Sequence, residues 1–241
     1  MKKRKVFILL CLIVLTICSC KRNDNELIMV TEAGFAPYEF YENGEIVGVD
    51  IEIAQKIAER LGKKLVVKDI YFDSIINELK SGKADIALAG MSINEERKKE
   101  VDFSKEYISS NQVVIVKNDS NIKNINEIHN KKIAVQLGSV ADTYVTSNKV
   151  TSDVVRQKKY LSMIEDLKND KVDLIIMDEL PAKEIIKTND NLIILDGIVF
   201  SDSYGIAIKK GNTELLDVVN SVLDELISSG EIDSYVLKYT K

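Results

Sequence analysis

Cysteine is scarce in this chain: Cys11, Cys18 and Cys20 are its three cysteines, all within the first twenty residues. The remainder can hold no disulfide, and its stability must come from a packed core. That remainder, about 220 residues, suffices for one two-lobed unit or two small domains. Histidine is scarcer still. His129 stands alone in the polar segment Asn126-Glu127-Ile128-His129-Asn130, with no second ligand at metal-binding spacing, so it reads as a solvated histidine and no metal site is expected. Pro37 and Pro181 are the only prolines, and no low-complexity stretch occurs. The one long apolar run, Val6 to Ile17, is shorter than the roughly 20 residues a spanning helix needs. Excess basic charge is missing too. Four of the 33 basic residues and none of the 38 acidic ones fall in residues 1–20, leaving 29 against 38, a net charge of −9. This argues against a nucleic-acid partner. An acidic balance serves first to solubilise the surface and is compatible with a cationic ligand.

What the N-terminus does have is a basic start, Met1-Lys2-Lys3-Arg4-Lys5, ahead of that apolar run, the pattern of a secretory signal peptide. The run stops at Ile17-Cys18-Ser19-Cys20, which resembles a bacterial lipobox. The resemblance implies that Cys20 is acylated and becomes the first residue of the mature protein; the alternative is an ordinary signal with an incidental cysteine. Residues 1–20 are thus the expected signal segment, residues 21–26 a polar tether, and Leu27 the start of the fold.

Beyond Leu27, strand-like apolar runs alternate with amphipathic helical runs: Leu27–Thr31, Asp50–Leu61, Leu65–Asp69, Phe72–Lys80, Asp85–Ala89, Val113–Val116 and Lys132–Gln136. Such alternation predicts an α/β fold with largely parallel sheets. An internal echo organises it. Ile75-Ile76-Asn77-Glu78-Leu79-Lys80-Ser81-Gly82-Lys83-Ala84-Asp85-Ile86 returns without a gap as Met163-Ile164-Glu165-Asp166-Leu167-Lys168-Asn169-Asp170-Lys171-Val172-Asp173-Leu174. Each copy reads helix, turn, buried strand. The strands end at Ala89-Gly90 and at Met177-Asp178, and ligands of open α/β sheets sit beyond the carboxyl ends of strands. Two similar lobes with a cleft between them are therefore expected; the plainer reading is that any two helix–turn–strand units look alike.

The ordered set Phe35-Ala36-Pro37-Tyr38-Glu39-Phe40, Gly48-Val49-Asp50-Ile51-Glu52-Ile53-Ala54, Ala89-Gly90-Met91-Ser92-Ile93-Asn94-Glu95-Glu96-Arg97 and Val101-Asp102-Phe103-Ser104 resembles the amino-acid-binding proteins of ABC importers, family 3 of the extracellular solute-binding proteins. The resemblance runs from Leu27 to the C-terminus, with Asn94 where threonine is usual and Tyr38 where phenylalanine is more frequent. It implies a two-lobed periplasmic-binding-protein fold of type II, the Venus-flytrap arrangement, with a two-strand hinge. Lobe 1 is expected over residues 27–110 and 207–241 and lobe 2 over 111–206, with crossings near Asn111–Val116 and Ser203–Ile208. It further implies a monomer without cofactor, lipid-anchored outside the cytoplasm, at a cell surface or in a periplasm, that delivers a free L-amino acid to an ABC permease.

A free amino acid carries a carboxylate and an ammonium, and a closed pocket must satisfy both after stripping their water. Arg97 opens a run that reads as an N-capped helix, and its guanidinium can hold a carboxylate through two hydrogen bonds. Without the Gly90–Ser92 context it would read as a solvated residue on a charged helix. Ser92 matches a position that bonds the ligand, and Gly90 one where backbone comes close to it. In Gln136-Leu137-Gly138-Ser139-Val140 a strand ends and a helix begins, so the amides of Ser139 and Val140 are expected to face an anion. Asp178 matches the family's carboxylate for the ligand's ammonium.

For the side chain, Phe35 and Phe72 match positions that sandwich it, and Glu32 one that meets a distal positive charge. The expected ligand is arginine or lysine, with ornithine and histidine close behind; glutamine and cystine remain open, as do a core role for both phenylalanines and a solvated Glu32. Two rival classes stand beside the receptor. One is an enzyme on the same scaffold, such as a cyclohexadienyl-dehydratase-like protein, for which Glu32 is the free pocket acid. The other is a sensor domain, which would normally continue into a transmembrane and effector region, whereas this sequence stops at Lys241. The receptor, not the enzyme, is the expected reading.

Overall fold

The structure is a computed structural model that describes residues 23–240. The signal segment and the lipidation expected at Cys20 lie outside the described residues. In chain order the elements are β1 (Glu26–Thr31), β2 (Phe40–Glu42), β3 (Glu45–Val47), α1 (Val49–Leu61), β4 (Lys64–Asp69), α2 (Ile75–Lys80), β5 (Ile86–Ala87), α3 (Glu95–Glu100), β6 (Val101–Lys117), β7 (Ile133–Gln136), α4 (Val140–Ser147), β8 (Val154–Gln157), α5 (Tyr160–Lys168), β9 (Leu174–Asp178), α6 (Glu179–Lys187), β10 (Leu192–Ile194), β11 (Phe200–Lys209), α7 (Thr213–Ser229) and α8 (Glu231–Tyr239). The last tether residue, Glu26, already belongs to β1, because Lys64 at the start of β4 donates its N–H to Asn25.

Apolar spacing decides the helices. Val49, Ile53, Ala54, Ile57 and Ala58 make one buried face of α1, with Asp50 and Glu52 in the first turn where the helix dipole favours acids. Strands β1, β7 and β9 are buried on both faces, as expected of parallel strands covered by helices. The sheet order is β4-β1-β5-β11-β6-β9-β7-β8, with β10 also on β6. β1 runs parallel to β4 and β5, and β7 parallel to β8 and β9, which gives two parallel sets, one per lobe.

Two antiparallel strands, β6 and β11, join the sets. β11 pairs with β5 through Ala207 and Ile208, while β6 pairs with β9 from Gln112 to Ile115. The expected crossings therefore sit partly inside the lobes themselves. The apolar run Val113–Val116 is core strand of the second lobe, and the stretches that carry the chain across lie just before these pairings, over residues 104–111 and 200–206.

The echo is structural as well as sequential. At the end of α2 the amides of Ser81, Gly82 and Lys83 donate to Asn77, Leu79 and Glu78; at the end of α5 those of Asn169, Asp170 and Lys171 donate to Glu165, Leu167 and Asp166. Asp85 then accepts the N–H of Ile28 on β1 at 2.8 Å, as Asp173 accepts that of Lys132 before β7, also at 2.8 Å. Each lobe thus ties its helix–turn–strand unit to its leading strand in the same way.

The C-terminal helices return to the first lobe. Arg60 of α1 meets Glu225 of α7 at 2.5 Å, and Lys238 and the Tyr239 hydroxyl of α8 meet Glu52 at 2.6 and 2.8 Å. Among the described residues no helix is long and apolar enough to cross a membrane.

Candidate functional site

The parallel strands of the two lobes aim their carboxyl ends at each other. Just past those ends lie Glu32 after β1, Ala89-Gly90 after β5, Gln136 at the end of β7 and Asp178 at the end of β9. All four line one cavity, joined by Phe35, Phe72, Ser92, Arg97, Ser139 and Val140. The nine expected residues are thus brought together. Glu39 from the first lobe and Gln136 and Tyr160 from the second also line the cavity, and none of the three was among the expected site residues. The cavity is tight, about 10 Å3, room for about one water molecule.

Arg97 is placed by a short helix. The Asn94 side chain caps α3 by accepting the Arg97 N–H at 2.8 Å, so asparagine serves where threonine is usual. The guanidinium is buried; Nη1 donates to the Ser92 carbonyl at 2.6 Å, Nη2 donates to the Gly138 carbonyl at 2.9 Å, and its carbon lies 5.3 Å from the Phe72 ring centre. Burial pushes its pKa down to about 10, against the pull of Asp202 and Asp178, and leaves it charged at neutral pH.

Ser139 does not play the part expected of it. Its hydroxyl caps α4, accepting the Asp142 N–H at 3.1 Å, and its own N–H donates to the Gln136 carbonyl at 3.1 Å, closing a tight turn. The Val140 N–H, first in the helix, is therefore the amide this turn offers to an anion. The Ser92 hydroxyl likewise turns to Asp202.

Asp178 ends β9 and precedes α6. Its Oδ1 accepts the Ser110 hydroxyl at 2.9 Å and the Tyr204 hydroxyl at 2.5 Å, both from the shared strands. Burial, then the neighbouring charge of Asp202, raises its pKa to about 6, opposed by those hydroxyls and Gln112.

Glu32 is buried to 2% exposure and is already partnered. Gln136 Nε2 donates to it at 3.2 Å, and Lys159, from the loop before α5, forms an ion pair with it. Burial raises its pKa, with Lys159 and Gln136 pulling the other way. The Phe35 ring stacks on Tyr160 at 5.0 Å, while Phe72 lies under Arg97. Gly90 has φ +52°, and a Cβ there would stand 2.4 Å from the Phe35 ring, so its missing side chain makes room for Phe35. Its N–H donates to the buried Asp50 at 3.1 Å, which also receives the Tyr107 hydroxyl at 2.9 Å. Beside Asp50, Glu39 has its pKa raised well above the usual range by burial and by that neighbouring carboxylate.

Lys159 and Tyr160 had a signal in the sequence: they follow the carboxyl end of β8, where the strand-end rule directs attention.

Two α/β lobes sharing a pair of strands, with a charged cavity where their strand ends meet, define a two-lobed binding protein of type II architecture. The chain belongs to the bacterial extracellular solute-binding proteins, family 3, whose family model matches residues 27–241. It is similar to the arginine-binding extracellular protein ArtP of Bacillus subtilis (strain 168), 32% identical over 235 residues that cover 93% of this chain and 92% of that protein. It is also similar to the ABC transporter glutamine-binding protein GlnH of the same organism, 32% identical over 232 residues, 94% of this chain and 85% of that protein. The crystal structure of the amino acid ABC transporter substrate-binding protein AbpA from Streptococcus pneumoniae, bound to L-arginine, superposes with a TM-score of 0.85 at 34% identity, covering 90% of this chain and 94% of that one.

Proposed function

We propose that the amino acid taken by this solute-binding protein is basic, arginine first, and that it is held between the lobes and handed to an ABC permease. The observation that carries this reading is the opposition of charges across the cavity: Arg97 enters from the first lobe, and Asp178 from the second. A ligand carboxylate takes the Arg97 fork and the Val140 amide; its ammonium takes Asp178. Glu32, Phe35 and Tyr160 then supply an acid and two aromatic faces for a cationic side chain. The similarity to ArtP and to arginine-bound AbpA supports the same ligand.

Because the rings of Phe35 and Tyr160 stack across the cavity, a ligand enters by separation of the lobes and stabilises their closure through contacts available only when both walls are near. The division runs between residues 110 and 111 and again between 206 and 207, within or at the end of the two shared crossings. The protein acts as a monomeric receptor and returns its ligand unchanged; a lipid on Cys20 holds it to the outer face of a membrane.

Glutamine is the second reading, favoured by one observation: Glu32 already has a cationic partner in Lys159, so an uncharged amide end leaves that pair intact. A thermal-shift screen over the common amino acids with ornithine and cystine separates the two, since a bound ligand raises the melting temperature by mass action. Arginine should give the largest shift. Silence from every basic amino acid sinks the basic reading, and recovery of a converted molecule by mass spectrometry sinks the receptor.

A further inference from the structure

Two consecutive lysines of the second lobe reach across the cleft onto acids of the first. Lys158 lies 3.6 Å from Asp73, and its ammonium is 4.6 Å from the centre of the Tyr71 ring. Lys159 pairs with Glu32 and stands 3.5 Å from Asp69 at the end of β4. The two acids differ in setting. Glu32 is almost wholly buried and receives only Gln136 besides the lysine, whereas Asp69 is held in place by the Ala33 N–H at 2.9 Å and the Tyr41 hydroxyl at 3.2 Å. Burial pulls the Lys159 ammonium towards neutrality, but the pairs with Glu32 and Asp69 outweigh it and keep it charged.

Lys159 therefore holds the place that a cationic ligand side chain would take on Glu32. A buried carboxylate costs several kcal/mol if left without a counter-ion, so either that ammonium or the ligand's own cation must serve it. An uncharged side chain makes no such demand and leaves the lysine in place. Asp69, on the same rim, offers the displaced ammonium a second partner.

We propose that Lys159 is a specificity-determining residue: it is the resident counter-ion of Glu32, it moves to Asp69 when a cationic side chain arrives, and it thereby sets how strongly the site prefers charged over uncharged ligands. This rests on the amino-acid reading above. The wild-type protein tests that reading, and the variants test the lysine.

The experiment is calorimetric titration with arginine and with citrulline, which has the same chain length and an uncharged end, at low ionic strength. With Lys159→Met, Glu32 is left to the ligand, and the preference for arginine over citrulline should rise about tenfold or more. Lys159→Arg should keep the wild-type preference within about threefold. In the Glu32→Gln background, Lys159→Met should no longer change the preference, a result that a merely structural lysine would not give. An unchanged or falling preference in Lys159→Met overturns the lysine's role while leaving the ligand assignment standing. Wild-type protein that binds neither compound overturns both.

Discussion

Arg97, carried by the first lobe, donates its Nη2 to the Gly138 carbonyl of the second lobe at 2.9 Å, so one guanidinium touches both walls of the cleft. It is buried and charged, and it is the expected seat of the ligand carboxylate. Arg97→Ala should weaken ligand binding by about 2–5 kcal/mol, the loss seen when one partner of a buried charge pair is removed. Arg97→Lys should recover only part of it, because an ammonium cannot make the two-pronged bond. Affinities within about twofold of wild type by calorimetry would count against the clamp.

The Asp178 carboxyl gives binding a pH dependence of known sign. In the ligand-free site its pKa is held up at about 6 by burial and by Asp202. An incoming ammonium needs the ionised form, so at a pH below that value binding must expel a proton. Affinity should hold level above about pH 7 and fall as pH drops through 6, approaching tenfold per unit. The Tyr204 and Ser110 hydroxyls bond the same carboxyl and help set the midpoint. Asp178→Asn should lose most of the affinity and flatten the profile; a wild-type profile already flat between about pH 5 and 8 contradicts the assignment.

The alternation of apolar runs and the echo were enough to anticipate two α/β lobes, because parallel strands buried on both faces leave unbroken apolar stretches such as Leu174–Met177. Arg97 and Asp178 were singled out through the family resemblance: Arg97 lies on α3 beyond the Ala89-Gly90 motif, and Asp178 is the last residue of β9. Three features were not legible. Whether the Ser139 amide is free depends on a turn closed by the Gln136 carbonyl, which composition cannot reveal. The partner of Phe35 is Tyr160, far along the chain in the other lobe, and only the meeting of the lobes makes the pair. How β6 is shared was not legible either: Gln112–Ile115, inside the crossing expected near Asn111–Val116, pair with β9 of the second lobe.

Gly90→Ala tests the packing beneath the site. The new methyl would stand 2.4 Å from the Phe35 ring on a backbone at φ +52°. A loss of about 1–3 kcal/mol in stability is expected from the strained backbone, together with weaker ligand binding as Phe35 is displaced. Denaturant unfolding reads the first and calorimetry the second; a neutral substitution by both measures would mean that Phe35 is free to shift.

The chain beyond Cys20 has no cysteine, so its melting temperature should be the same with and without reductant. A reductant-dependent shift in protein purified without residues 1–20 would show that something other than the packed core contributes.

The most direct test of the two-lobed clamp is calorimetric titration of L-arginine into wild-type protein, Arg97→Ala and Asp178→Asn under the same conditions. The expected result is saturable one-to-one binding to the wild type that collapses in both variants, since the opposed charges act on the two ends of one molecule. Arginine binding that survives either substitution, or a wild type that ignores arginine while taking another amino acid with full affinity, would contradict it.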